Sequence, residues 1–157
     1  MTKRSPGHQL IAQLLRRLRD LDWIPILLVR LSVGLLFFES GRGKLFFTLE
    51  ELGKYFVELG IPLPHLNAIV VASIEFFGGM CLILGLATRV FSIQLAIIML
   101  VATLTAEIKT VHTVGDFLYL PTVLLFVIFI WLAFSGPGKV SIDYLIARTL
   151  GFDREKA

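Results

Sequence analysis

Cysteine is almost missing from this chain: Cys81 is the only one in 157 residues. That excludes an intramolecular disulfide framework, a CxxC relay and a cysteine-held iron–sulfur or zinc cluster within the chain. Histidine is limited to His8, His65 and His112, all outside the long apolar runs. A haem in a membrane core needs deep axial ligands, so no haem is expected. Charge is scarce as well, at 17%, where soluble domains carry about 25%. A net charge of +3 without a concentrated basic face gives no footprint for nucleic acid.

What the chain has is apolar surface, 56% of its residues. A soluble domain of this size cannot hide that much. Bilayer-crossing helices need about 20 mostly apolar residues, and four stretches come close: 23–38 running on towards Lys44, 66–87, 90–106 and 117–135. The runs are continuous rather than alternating, which excludes a lipid-facing β-barrel. The expected fold is all-α: a polytopic, antiparallel four-transmembrane-helix bundle with interfacial helices. Lys3, Arg4, Arg16, Arg17, Arg19, Arg89, Lys139, Arg148, Arg154 and Lys156 fall on one side of such a bundle, against Arg42, Lys44, Lys54 and Lys109 on the other. The positive-inside rule then puts both termini in the cytoplasm.

Three segments follow: a basic leader at 1–22, the membrane domain at 23–145 and a cytoplasmic tail at 146–157. In the leader, Leu10, Ile11, Leu14, Leu15, Leu18 and Leu21 recur at helical spacing beside Arg16, Arg17 and Arg19, which predicts an amphipathic helix on the anionic inner leaflet. The outer loop is too apolar to be free, and Thr48 with Glu51 three residues later suggests a capping box for a short helix over 49–59.

Ionisable residues inside a bilayer face the bundle interior or a polar cavity, which singles out Arg30 and Glu75. Arg30, Gly34, Phe37, Gly41 and Lys44 form one stripe, and Ala68, Ala72, Glu75, Gly79 and Leu82 another. Small residues beside the charges allow close helix approach. At 1.5 Å per residue the two charges differ in depth by roughly 8 Å, so an Arg30–Glu75 pair is within side-chain reach, either as a register device or as a functional element. A second group, Glu39, Arg42, Lys44, Glu107 and His112, gathers towards the outer face. It could line an outward pocket with Glu75 at its floor, or be ordinary solvated helix ends. No metal-motif spacing connects these residues, so no metal site is expected.

Several elements resemble the DoxX family of small bacterial membrane proteins. They are Arg30-Leu31 with Gly34-Leu35-Leu36-Phe37, then Gly43-Lys44-Leu45-Phe46, then Glu75-Phe76-Phe77-Gly78-Gly79, Leu84-Gly85-Leu86-Ala87-Thr88-Arg89, and Gly136-Pro137-Gly138-Lys139 with Ser141-Ile142-Asp143. Their series spans roughly residues 24–145. The resemblance implies four helices in the bacterial inner membrane and a link to membrane oxidoreductase systems. Arg30, Lys44, Glu75 and the turn at 136–143 carry over by motif position. The expected role is an accessory or quinone-interacting subunit rather than a self-contained enzyme, acting in the lipid bilayer as a homo-oligomer or with other oxidoreductase subunits. A small-solute or lipid binding or transport module, and a scaffold for a partner enzyme, are the alternatives.

Overall fold

The computed structural model describes Leu21 and residues 23–150. Apart from Leu21, the leader at 1–22 lies outside the described residues, as does the end of the tail from 151 onward. Among the described residues the fold is all-α. The helices are α1 (Trp23–Phe46), α2 (Leu49–Glu58), α3 (Pro64–Leu84), α4 (Thr88–Ala102), α5 (Val114–Leu118), α6 (Pro121–Ser135) and α7 (Ile142–Thr149). A π turn at Thr103–Glu107 and a 3-10 turn at Ile108–Thr110 extend α4.

Among the described residues, three helical stretches are long and apolar enough to cross a membrane: Trp23–Phe46, Pro64–Leu84 and Thr88–Glu107. The protein is a polytopic membrane protein. α6 is equally apolar but has 15 residues, about 22 Å of helix against a hydrocarbon core of about 30 Å. The sequence suggested one run over 117–135, and the structure breaks it at Tyr119 and Leu120. Pro121 has no N–H and occupies the first turn of α6, and Leu120 before it is extended (φ −66°, ψ 124°), as a residue preceding proline prefers. α5 is set by a capping box between Thr113 and Asp116. The His112 and Thr113 N–H groups donate to the Asp116 carboxylate, which hold it below the usual carboxylate range.

α2 forms where the outer-loop helix was expected, but without the predicted capping box. Thr48 makes no side-chain cap bond (φ −128°, ψ 25°). Glu50 and Glu51 in its first turn favour the helix start through the dipole instead. α3 stops at Gly85, in the left-handed region at φ 69°. The Gly85 and Leu86 N–H groups return to the Leu82 and Cys81 carbonyls, the pairing that closes a helix C-terminus.

α1 packs along α3 over the largest interface, α4 along α6 over the next, and α3 against α4. The Phe37 and Phe129 rings, 4.9 Å apart and edge-on, join α1 to α6 and close the ring of four helices. Position 34 faces 79 and 83 while 41 faces 75 and 76, so α1 and α3 are antiparallel. α4 and α6 are too, since Arg89 lies by Gly136 and Thr103 bonds to Thr122. The core holds Val33, Phe37, Leu82, Leu95, Phe129 and Leu132. Leu28, Leu35, Ile93, Leu124 and Val127 point outward, as lipid-facing residues do.

The α1–α3 seam is a backbone contact. A Cβ on Gly41 would stand 2.2 Å from Phe76 N, and one on Gly79 would stand 2.3 Å from Phe38 N. Neither neighbour can swing away, because both are main chain. Gly43, two residues from Gly41, has open space around its missing Cβ. Gly41→Ala and Gly79→Ala should therefore each destabilise the fold by about 1–3 kcal/mol or more through overpacking. Gly43→Ala should be neutral or gain up to about 1 kcal/mol from helix propensity. Thermal unfolding in detergent checks the contrast.

Candidate functional site: a charge pair at the wall of an apolar cavity

Arg30 and Glu75 are the two most deeply buried ionisable residues described, at 2% and 1% exposure. They do not pair with each other. Arg30 lies at the end of the bundle where α3 turns into α4. Its Nη1 donates to the Pro137 carbonyl, and its Nη2 to the Val140 carbonyl at 2.6 Å. Glu75 lies further along α3 and is held by α1. Gly41 rests on the Glu75–Phe76 backbone, which brings Ser40 level with the carboxylate. Lys44, one turn on, reaches back. Its Nζ donates to Oε1 at 2.6 Å and to Oε2 at 2.7 Å, and Ser40 Oγ donates to Oε2 at 2.9 Å. These are short, charge-assisted bonds on a carboxylate that is only 1% exposed.

The turn at 136–143 that accepts from both Arg30 Nη atoms, leaving the buried Nε without a partner among the described residues, also ties the helix ends together. Asp143 N donates to the Gly85 carbonyl at 3.0 Å. The Asp143 carboxylate accepts from Ala87 N at 2.8 Å and Thr88 N at 3.0 Å, so it caps α4 from across the molecule. Ala87 is held at φ 47°, an unfavourable conformation for a residue with a side chain. Ser141 caps α7 by accepting from Tyr144 N. The Gly85 φ value and its nearness to the Arg30 guanidinium, 2.7 Å from a notional Cβ, make glycine necessary there.

At the other end, α2, α3 and α4 enclose a cavity of about 650 Å³. Lys44 and Glu75 lie on its wall, with Gln94, Thr105 and Thr122; Tyr55, Phe56, Ile74, Ile97 and Ile98 supply apolar lining. α2 contributes Leu52, Tyr55 and Phe56 and so forms one side of the chamber. Gly53 seats α2 on α3 by admitting the His65 ring. The arrangement offers an ammonium and a carboxylate to a guest whose remaining surface is apolar.

Of the five residues grouped towards the outer face by sequence, only Lys44 lines the chamber. Glu39 and Arg42 pair with each other at 2.7 Å on the exposed surface. His112 is exposed and gives its backbone N–H to Asp116. Glu107 accepts from the Thr122 hydroxyl and so reaches the chamber wall through Thr122. Among the described residues no three His, Cys, Asp or Glu side chains converge as ligands of one metal would.

The DoxX family profile matches residues 26–108, which include Arg30, Lys44 and Glu75. This chain belongs to the DoxX family. It is 36% identical over 86 residues to "Putative oxidoreductase CatD" of Bacillus subtilis (strain 168), a match covering 55% of this chain and 62% of that protein. It is 25% identical over 129 residues to "Inner membrane protein YqjF" of Escherichia coli (strain K12), covering 82% and 97%. It is 30% identical over 137 residues to "Uncharacterized membrane protein Rv3486" of Mycobacterium tuberculosis (strain ATCC 25618 / H37Rv), covering 78% and 82%. No solved structure matches it.

Sequence reasoning about this DoxX chain missed Ser40, Gln94, Thr122 and the cross-capping by Asp143. Ser40 had a usable signal: it sits four residues before Lys44, on the same helix face. The charge pair is asymmetric, since the Lys44 side chain is 32% exposed and that of Glu75 is 1%. Lys44→Met strands a buried carboxylate and should cost about 3–5 kcal/mol. Glu75→Gln leaves an ammonium that can reach solvent and should cost clearly less. The double variant should cost less than the sum. Unfolding midpoints of the three variants check this.

Proposed function

We propose that this protein is a membrane subunit that holds the head group of an isoprenoid quinone in the Lys44–Glu75 chamber and serves a partner oxidoreductase. The observation that carries the reading is an ion pair between a buried carboxylate and a partly exposed ammonium on the wall of a largely apolar cavity. Its volume lies in the usual range of small-molecule sites, about 300–1,000 Å³. A quinone has the matching chemistry: carbonyl oxygens that accept hydrogen bonds on a ring and tail that are otherwise apolar. Lys44 would donate to a ring oxygen, and Glu75 would exchange a proton there while Ser40 keeps its carboxylate oriented. The bound quinone would supply the redox chemistry, and the chain's own residues supply binding, orientation and a proton-active carboxylate. The name of the Bacillus subtilis relative, a putative oxidoreductase, supports a redox setting.

The same reading includes four membrane crossings, with the short α6 as the fourth, and both termini in the cytoplasm. Its support is the ten-to-four distribution of Lys and Arg in the sequence. An inner-membrane location is supported by the Escherichia coli relative's name. The apolar lining favours a second reading, a lipid or small-solute binding module that uses the same chamber.

Quinone extracted from protein purified in mild detergent, measured by mass spectrometry, tests the proposal. The wild type should carry near-stoichiometric quinone and rebind decylubiquinone after delipidation. Ala106→Phe, which fills the chamber, and Glu75→Gln should each lower occupancy at least tenfold, while Gly43→Ala leaves it unchanged. Recovery of phospholipid in place of quinone would favour the second reading. Thiol labelling of Lys54→Cys and of a C-terminal cysteine, in a Cys81→Ser background, should report opposite sides of the membrane; same-side labelling contradicts the topology.

A further inference from the structure

The bundle has a second concave surface, at the Arg30 end, that the chamber does not use. We propose that it binds the phosphate of an anionic phospholipid, independently of any quinone. The groove, about 500 Å³, lies between the start of α4, the 136–139 turn and α7, and both Arg89 and Lys139 line it. Among the described residues neither cation enters an ion pair. The one carboxylate in the lining, Asp143, is already committed to Ala87 N and Thr88 N. Among the described residues the groove lining therefore holds two cations against one carboxylate, and that carboxylate spends its hydrogen bonds on the backbone, so the excess charge is positive.

The placement of Arg89 is built into the fold. Its guanidinium lies against Gly136, where a Cβ would come within 3.2 Å of Nη2 and 3.3 Å of Nε. Gly136 sits at φ 79°, so the turn that ends α6 provides a bare shelf for the cation. Val90, Ala147 and Tyr144 lie in the lining, Val90 is exposed, and so are Leu86 and Val140, the chain neighbours of lining residues Ala87 and Lys139. Tyr is favoured at headgroup depth. A soluble anion gains nothing from such a rim. A phospholipid gains twice, with its phosphate on Arg89 and Lys139 and its acyl chains along the apolar side chains beside them. Basic pockets between helices at the membrane surface take anionic head groups for this reason.

Native mass spectrometry of the full chain, titrated with phosphatidylglycerol or phosphatidylcholine of equal chain length, tests the assignment. Phosphatidylglycerol should bind preferentially. Arg89→Gln and Lys139→Gln should each weaken it by about fivefold, the effect of one surface cation, and the double variant should lose the preference. Lys139 is exposed in a turn, so its variant reports on the site even where the Arg89 variant folds poorly. Arg89→Lys should keep the preference, and Lys54→Gln, at the other end of the bundle, should leave it unchanged. Equal binding of the two lipids, a preference that survives the double variant, or an equal loss in Lys54→Gln would overturn the site. Competition by glycerol 3-phosphate at matching concentration would reassign it to a free phosphate ester.

Discussion

The placement of both buried charges in this bundle depends on how closely α1 approaches α3. Gly41 against Phe76 and Gly79 against Phe38 bring the two backbones into contact, and that contact fixes rotation and register together. A slip of one residue would turn α1 by about 100°. It would carry Ser40 and Lys44 away from Glu75 at one end and Arg30 away from the 136–140 carbonyls at the other. In lipid no water replaces a lost partner, so the glycine seam and the two buried charges reinforce each other. The seam admits one register, and the charges penalise every other.

The two charges are held by different means, and the difference gives the molecule its polarity. Arg30 is answered by main-chain carbonyls of the turn after α6, and the same turn sends Asp143 to cap α4. That end is drawn shut. Glu75 is answered by side chains, one of which, Lys44, is a third exposed. That end stays open, with α2 as a wall instead of a plug. Side chains can exchange a partner for a guest, whereas carbonyls locked in a turn cannot easily do so. The chamber therefore lies beside the adjustable charge and the static groove beside the fixed one.

Much of this was legible in the sequence. The apolar runs gave the helices, and the stripes through Gly34 and Gly41 on one side and Ala72 and Gly79 on the other are buried as their spacing implied. The pairing of the charges was not legible, because the partners of Arg30 are carbonyls 107 and 110 residues away, and every residue type carries a carbonyl. Local chemistry misled twice. Thr48 and Glu51 have the letters of a capping box without its geometry, while Thr113 and Asp116 form one. Glu107 meets Thr122 after a π turn at Thr103–Glu107. A π turn inserts extra residue into a turn and shifts the face that follows, so regular 3.6-residue spacing misplaces everything beyond it.

If the Lys44–Glu75 chamber holds a quinone head group, as proposed, a photoreactive quinone should map its contacts most directly. An azidoquinone irradiated with the protein in native membranes should label the chamber walls, in the α2 segment around Tyr55 and Phe56 and the α4 segment around Ile97 and Ile98. An excess of decylubiquinone should suppress that labelling, and Glu75→Gln should reduce it. Labelling confined to the lipid-facing residues of α1 and α6, or unaffected by competitor, would contradict the account.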